Sequence, residues 1–256
     1  GEYAIIGARQ DGDNGAQSGS VYIFFRNGTT WSQQAKLLAS DGVTQDLFGN
    51  SVSISGDYAI IGANGDDDNG SFSGSAYIFF RSGVSWSQQA KLLPSDGATN
   101  DQFGAAAAIS GDYAISGAQG DDDNGSSSGS AYIYHRNGTT WTQTAKITAS
   151  DAIQGDLFGG SVAIDGDRIA IGARGDDNGF AISGSVYVYE RVGSAWAGEK
   201  KLIASDEAGD DELGWSVSIS GDYVVTGAFR EDANGNSAGA AYVFRFDSGS
   251  WTEQVK

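Results

Sequence analysis

Alternating apolar and polar residues divide a typical stretch of the chain into four predicted β-strands. In the segment 48–55, larger side chains (Phe48, Asn50, Val52 and Ile54) alternate with glycine and serine, the period-two pattern of a strand with one small-residue face. Segments 57–63 and 75–81 carry apolar or aromatic residues on both faces, and segment 86–93 mixes tryptophan and leucine with serine, glutamine and lysine. We therefore predict an inner strand, two fully covered central strands and a half-solvated outer strand.

Short turns connect these strands in pairs. A Ser55-Gly56 turn follows the first strand, and residues 81–85 join the third strand to the fourth. Connections of this length predict antiparallel hairpins. No segment shows a sustained 3.6-residue apolar period, so we expect almost no helix.

The four-strand unit recurs along the whole chain. Five tryptophans are each separated by 55 residues, and only Trp215 lies outside this series. Self-similarity of this kind predicts a repeat architecture. The recurring tryptophans are Trp31, Trp86, Trp141, Trp196 and Trp251, and the predicted repeats are 1–36 (partial), 37–91, 92–146, 147–201 and 202–256.

These units predict an all-β fold, a β-propeller of four-stranded antiparallel blades, formed by one domain over residues 1–256. Small residues on the first strand of each unit suit an inner position, where neighbouring sheets converge. The first repeat starts at its second strand, so we expect that blade to lack its inner strand. A β-solenoid is the alternative, but solenoid coils are shorter and lack paired hairpin turns.

Two recurring dipeptides carry a resemblance to a known family. A Phe-Gly pair, as in Phe48-Gly49, opens the first strand, and a Gly-Ala pair, as in Gly62-Ala63, ends the second. The chain resembles the FG-GAP repeats of secreted bacterial proteins and, more distantly, of integrin alpha-chain propellers. The resemblance implies a propeller at the cell surface or outside the cell. The integrin calcium loop is not carried over, because the connection at that place is only Ser-Gly-Asp.

Composition and charge narrow the classes of partner. The chain has 256 residues, 39 glycines without a collagen-like period of three, and no cysteine, so disulfides and thiolate metal sites are excluded. Its formal net charge of -18 repels phosphate backbones and anionic lipid headgroups, so we expect no nucleic-acid partner. No apolar run approaches the ~20 residues of a membrane helix, and we expect no membrane insertion.

Most acidic residues fall in two sets of loops. Because strand direction alternates, the loops between repeats and the loops between the second and third strands emerge on one side of each sheet. Clusters of Asp and Asn with glycine offer the oxygen ligands that calcium prefers, so we predict calcium as a ligand. The candidate metal ligands are Asp11, Asp13, Asp41, Asp46, Asp66, Asp68, Asp96, Asp101, Asp121, Asp123, Asp151, Asp156, Asp176 and Asn178, whereas Glu231 with Ala233 is expected to have lost the site. The alternative explanation is that these are turn-forming residues on a solubilising acidic surface.

Residues that suggest catalysis are few. The single histidine, His135, lies where other repeats have Phe or Glu, so we interpret it as a packing or surface position. Asp165 replaces a serine of the other repeats and is the only such carboxylate in a first strand. We therefore expect that the protein is not an enzyme.

The sequence predicts an extracellular or cell-surface propeller, stabilised by calcium, that acts as an adhesion or structural interaction module for a protein or glycan ligand. A homo-oligomer or filament through the incomplete first blade is a further hypothesis. The alternatives are a glycan-binding lectin and a glycosidase or lyase that uses an axial pocket. A repeated site predicts several equivalent ligands per chain, and an enzyme predicts one.

Overall fold

Antiparallel β-sheets make up the regular structure of the chain. The computed structural model describes residues 1–232 and 235–256, which contain nineteen strands and no helix. The strands are β1 Tyr3–Ala8, β2 Ser20–Asn27, β3 Thr30–Leu37, β4 Ser51–Ser55, β5 Tyr58–Ala63, β6 Ser75–Ser82, β7 Ser85–Leu92, β8 Ala106–Ser110, β9 Tyr113–Ala118, β10 Ser130–Asn137, β11 Thr140–Ile147, β12 Phe158–Asp165, β13 Arg168–Ala173, β14 Ser185–Val192, β15 Ala195–Leu202, β16 Leu213–Ser220, β17 Tyr223–Ala228, β18 Ala240–Asp247 and β19 Ser250–Val255. The prediction of an all-β chain is confirmed.

Each sheet contains strands that are consecutive in sequence. The first sheet has the order β1-β2-β3, and the next four are β4-β5-β6-β7, β8-β9-β10-β11, β12-β13-β14-β15 and β16-β17-β18-β19. This order is consistent with propeller blades. By their contacts the residues form two compact units, one of Gly1–Ser116 with Ile133–Thr144 and the other of Gly117–Tyr132 with Ala145–Lys256.

The two central strands of the second, third and fourth sheets are buried on both faces, as their sequence predicts, whereas β1 and β17 keep exposed apolar residues. In β5, Ile60 and Ile61 point to opposite faces, and both are fully buried. One core cluster of the first unit joins Val21 and Ile23 of the first sheet to Tyr77 and other residues of the second. The first and second sheets therefore stack face to face, and each buries apolar residues of the other.

The pairing between third and fourth strands contains a recurring β-bulge. The register shifts between Ile78 and Phe79 where β6 pairs with β7, and it shifts at the matching place in β2, β14 and β18. A bulge inserts one unpaired residue and increases the local twist. The outer strand of each of these sheets is therefore twisted at mid-length.

The inner strand begins later in two repeats than the sequence pattern suggests. β4 begins at Ser51, not at Phe48, although β12 and β16 begin at the Phe-Gly or Leu-Gly pair itself. Gly49 has a left-handed φ of 91°, and the equivalent Gly159 and Gly214 have φ values of 86° and 88°, so this backbone conformation is common to the pair in early-starting and late-starting strands. Phe48 forms a parallel bridge with Gly19 of the preceding sheet, so the Phe-Gly pair belongs as much to the contact between sheets as to its own strand.

Neighbouring sheets meet at a backbone contact that we call the joint. A joint is formed by the Gly-Ala pair of one sheet and the Phe-Gly or Leu-Gly pair of the next. A β-carbon placed on the first glycine would overlap the carbonyl oxygen of the second, so no larger residue fits without a shift. The four joints are Gly7 with Gly49, Gly62 with Gly104, Gly117 with Gly159, and Gly172 with Gly214.

Gly172→Ala should destabilise the fold more than Gly227→Ala. Both glycines face a serine hydroxyl on their own sheet, but only Gly172 also faces the backbone of Gly214. We expect Gly172→Ala to lower the free energy of unfolding by about 2 kcal/mol or more, as overpacking against backbone does, and Gly227→Ala to lower it by less than half as much. Urea unfolding of both variants measures this difference, and equal losses would show that the joint tolerates a β-carbon.

Candidate functional site

A lysine ammonium lies among the acidic loop residues of the second repeat. Lys91 Nζ is 2.8 Å from Asp41 Oδ2, 2.9 Å from Asp66 Oδ2 and 2.6 Å from Asp68 Oδ2. Asp41 belongs to the loop between repeats, whereas Asp66 and Asp68 belong to the loop between β5 and β6. The structure therefore brings the two acidic loops to one side, as the alternating strand direction predicts.

The strand register places a tyrosine beneath this ammonium. Tyr77 of β6 pairs with Lys91 next to the end of β7, and Lys91 Nζ lies 5.3 Å from the centroid of the tyrosine ring. The Tyr77 hydroxyl, which has one proton to donate, lies 2.9 Å from an Asp66 carboxylate oxygen and 3.0 Å from an Asp41 carboxylate oxygen. One lysine, one tyrosine and the loop carboxylates thus form a cluster, which we call the Lys–Tyr–Asp cluster.

A lysine pairs with loop carboxylates at the same place in the other repeats. Lys36 pairs with Asp11 and Asp13, Lys146 with Asp121 and Asp123, Lys201 with Asp151 and Asp176, and Lys256 with Asp206 and Glu231. The matching tyrosines are Tyr22, Tyr132, Tyr187 and Tyr242, each with a lysine Nζ 5.2 to 5.5 Å from its ring centroid. The cluster is therefore a property of the repeat.

Ion pairing sets the protonation state of the cluster. Burial alone would raise the pKa of Asp41, but its ion pair with Lys91 lowers that pKa below the ordinary value, and Lys201 does the same for Asp151. Burial would lower the pKa of Lys91, yet its three carboxylate partners raise it. Burial and the neighbouring carboxylates raise the pKa of Tyr77. At neutral pH the Lys91 ammonium and the Asp41 carboxylate are therefore charged, and Tyr77 keeps its proton.

A second kind of carboxylate closes the loop between repeats. Asp46 is buried, and its Oδ2 accepts the backbone N–H of Val43 at 2.7 Å. Burial raises its pKa to about 6, and the nearby Asp66 adds to the shift. Asp101, Asp156 and Asp211 are buried and accept the corresponding N–H in their own loops. These aspartates hold the loop that precedes each joint.

The model of the FG-GAP repeat matches the chain four times, at residues 31–79, 86–134, 141–189 and 196–244. These matches cover more than half of the chain. The chain belongs to the FG-GAP repeat family. No curated protein matches it.

In this FG-GAP chain most of the predicted metal ligands fall into two groups. Nine of them contact a lysine in a Lys–Tyr–Asp cluster, whereas Asp46, Asp101 and Asp156 are the buried loop acceptors. The nine are Asp11, Asp13, Asp41, Asp66, Asp68, Asp121, Asp123, Asp151 and Asp176. Asn178 donates to Glu207 Oε2 at 3.1 Å instead, and Asp96 is exposed in its loop. Ala233 lies outside the described residues.

The lysines and tyrosines of the cluster were not predicted as site residues. Their periodic recurrence was the available signal: lysine and tyrosine return every 55 residues in step with the aspartates. A lysine on a half-solvated strand indicates a surface position, and a tyrosine on a central strand indicates a residue that packs between sheets. Only the pairing of β6 with β7 brings Lys91 next to Tyr77.

The carboxylate oxygens of the cluster already have hydrogen-bond partners, which limits where a calcium ion fits. Calcium takes six to eight oxygen ligands, but Asp41 and Asp66 already accept hydrogen bonds from Lys91 and Tyr77. The ammonium lies between the carboxylates, so calcium fits on their solvent-facing oxygens or after the lysine has moved away. The described residues contain no group of three or more His, Asp or Glu side chains placed to hold a metal ion. Calcium binding stays a prediction.

The residues considered for catalysis have structural contacts. Asp165 Oδ2 accepts the backbone N–H of Gly221 at 2.7 Å, on the turn of the next sheet. The ring of His135 is half-buried against Tyr113, with centroids 4.5 Å apart.

Residues 1–232 and 235–256 contain no helix that is long and apolar enough to cross a membrane.

Lys91→Met should lower stability, because it leaves three carboxylates without their ammonium. Since two of those carboxylates are half-exposed, we expect a loss of about 2–3 kcal/mol of unfolding free energy at neutral pH. Lys200→Met is the matched control, because Lys200 lies exposed on β15. Urea unfolding at pH 7 measures both losses, and similar small losses would contradict a stabilising role for the cluster.

The melting temperature should have a maximum between about pH 4 and pH 6. The pKa of Asp46 is raised to about 6 from its ordinary 3.8, so the folded state binds this proton more tightly and stability rises as the pH falls from 7. The pKa of Asp41 is lowered by its ion pair, so the stability it contributes is lost once the pH falls through its folded value. Thermal melts from pH 2 to pH 8 measure the profile.

Asp46→Asn tests whether Asp46 is the group that lowers the stability as the pH rises towards neutrality. Asparagine keeps an oxygen for the Val43 N–H but carries no buried charge. We expect the variant to gain stability at pH 7.5 and to differ little from the parent at pH 4.5. Asp122→Asn, at an exposed loop position, is the control and should leave the profile unchanged, whereas identical profiles for all three proteins would exclude Asp46 as the titrating group.

Proposed function

We propose that the protein is a secreted or cell-surface interaction module that serves adhesion or structural association. FG-GAP repeats indicate a β-propeller interaction module, and the acidic loop side supplies its binding surface. The observation that carries the proposal is the recurrence of the Lys–Tyr–Asp cluster in every repeat. A chain that carries an equivalent cluster in each repeat suits multivalent contact with an extended partner better than it suits one small molecule.

The charge of the loop side favours a cationic partner. In the second repeat one ammonium faces three carboxylates, and the side chains of Asp41 and Asp68 remain nearly half-exposed. The chain as a whole carries a net charge of -18. An excess of negative charge on ordered loops attracts metal cations and basic protein surfaces.

We propose calcium as the cation that binds at this side and stabilises the loops. Calcium at about 100-fold above its dissociation constant stabilises the folded state by about 2.7 kcal/mol for each site. Added calcium should therefore raise the melting temperature, and a chelator should lower it. Thermal melts with calcium, with magnesium and with chelator make the test, and unchanged curves would leave the lysines as the cations of these loops.

The calcium stoichiometry tests the residues. Asp66→Ala combined with Asp68→Ala should lower the number of bound calcium ions by about one, because it removes two ligands of one repeat. Glu231→Ala should change the number little, because the sequence has Ala233 at its partner position. Isothermal titration measures both, after circular dichroism has shown that the variants are folded. Equal reductions by the two changes would contradict the assignment.

The remaining predictions are distinguished by the same titrations. Several equivalent sites per chain favour the interaction module, and one glycan site per chain favours a lectin or an axial-pocket glycosidase or lyase. Association through the first repeat stays a prediction. Its support is that Ile6 is 53% exposed while the matching Ile61 is fully buried, and light scattering tests it.

A further inference from the structure

The fifth sheet carries a joint surface that no described residue fills. In the first four sheets, the Gly-Ala pair lies against the backbone of the next Phe-Gly or Leu-Gly pair. The equivalent glycine of the fifth sheet is Gly227, and a β-carbon placed there would meet only Ser216 Oγ at 2.8 Å and Ala240 O at 4.0 Å. We call this surface the fifth joint.

The fifth joint has backbone carbonyl acceptors at the positions that accept hydrogen bonds in the filled joints. In the first joint, the carbonyls of Gln17 and Ser18 accept the N–H groups of Leu47 and Phe48 at 3.1 and 3.0 Å. The same two bonds recur in the next three joints. In the fifth sheet the equivalent residues are Ser237 and Ala238, which are exposed, and no backbone N–H of the described residues donates to their carbonyls.

The loop that carries these carbonyls already has the conformation of the filled joints. Gln17 and Phe72 have left-handed φ values of 59° and 55°, and Ser237 has a φ of 50°. A left-handed backbone at a residue other than glycine costs free energy, so it indicates that the surrounding loop fixes it. The fifth joint is thus preorganised, which lowers the cost of binding.

A serine hydroxyl adds a third unused contact. Ser51 donates to the carbonyl of Gly104 at 2.9 Å, and Ser161 donates to that of Gly214 at 2.8 Å. Both serines thereby hold the glycine of the following Phe-Gly or Leu-Gly pair. The equivalent Ser216 is exposed on β16, and no glycine carbonyl of the described residues accepts its hydrogen bond.

An apolar face surrounds the joint. Val225 of β17 is 43% exposed, whereas the equivalent Ala170 is fully buried against the fifth sheet. Trp215 and Phe229 stack with centroids 4.5 Å apart, and both are about half-exposed. With small residues of β17 and β18 they line a groove of about 550 Å³. Exposed apolar surface of this kind marks an interaction site.

We propose that the fifth joint binds the Asp-x-Phe-Gly segment of a further FG-GAP repeat. The four filled joints define the occupant: a left-handed residue before the aromatic one, an aromatic or leucine side chain, and a glycine with positive φ. A segment with these features donates both N–H groups and places a glycine carbonyl opposite Gly227 and Ser216, as the occupied joints do. This binding is strand addition directed by backbone bonds, and it does not rest on the proposed calcium or adhesion role.

A peptide copy of residues 37–56 tests the proposal. It contains Asp46, Phe48 and Gly49 in their own sequence. Fluorescence anisotropy of the labelled peptide, titrated with the full chain, should show saturable binding of one peptide per chain, both with calcium and with chelator. A peptide with Gly49→Val should bind at least tenfold more weakly, because its side chain meets the wall of the joint.

Substitutions in the full chain test the contact from the side of the fifth joint. Gly227→Val, combined with Ser216→Ala to relieve their mutual contact, should weaken peptide binding at least tenfold, and Ser216→Ala alone should weaken it a few-fold. Circular dichroism and the melting temperature check that these variants fold. Should the Gly227 variant not fold, the Gly49→Val peptide against the parent chain still decides the outcome.

A covalent copy of the segment makes the same test at high effective concentration. Lys256 aligns with Lys36, so residues 37–56 appended after Lys256 continue the repeat in register. We expect this extended chain to melt at a higher temperature than one whose appended segment carries the Gly49→Val change. Failure of the peptide to bind, with equal melting temperatures of the two extended chains, would overturn the proposal. A dimer of the unextended chain that Gly227→Val abolishes would also overturn it, by placing a second copy in the joint.

Discussion

Stacking of the sheets depends on a peptide oxygen that lies where a β-carbon would otherwise be. At each joint the carbonyl of one glycine meets the α-carbon of another, so both positions exclude larger side chains. This close approach brings the N–H of Phe48 within hydrogen-bonding distance of the preceding sheet and places its ring in the apolar layer. Backbone bonds fix the register between sheets, and apolar burial stabilises them.

The Lys–Tyr–Asp cluster positions the loop that leads into each joint. A Phe-Gly pair can enter the preceding sheet only if the long loop before it returns to the correct place. Lys91 ties that loop, through Asp41, to the neighbouring loop that carries Asp66. The cation is covalently part of the outer strand, so its contribution does not depend on dissolved metal. Acidic loops that would repel one another are thereby held on one side.

The fold could be predicted from the sequence because its pattern is periodic. The site could be predicted only in part, because its contacts join residues that are far apart in the chain. The segment 75–81 predicted β6 to within one residue, because both faces of that strand are apolar. The bridge between Phe48 and Gly19 was not accessible from sequence, because it joins two different sheets. The aspartates near Lys91 were found as a group. Their ammonium partner was missed because it lies on a strand about 25 residues away from Asp66.

The bulge in the outer strands has a consequence for how these molecules behave when crowded. A flat outer edge with free N–H and C=O groups would let two chains pair side by side and begin amyloid-like aggregation. The twist after Ile78 breaks the straight row of such groups, and the same break recurs in β2, β14 and β18. Side-by-side pairing through these four outer strands is therefore disfavoured, so the exposed apolar face of the fifth sheet is not accompanied by a flat outer edge on its own sheet.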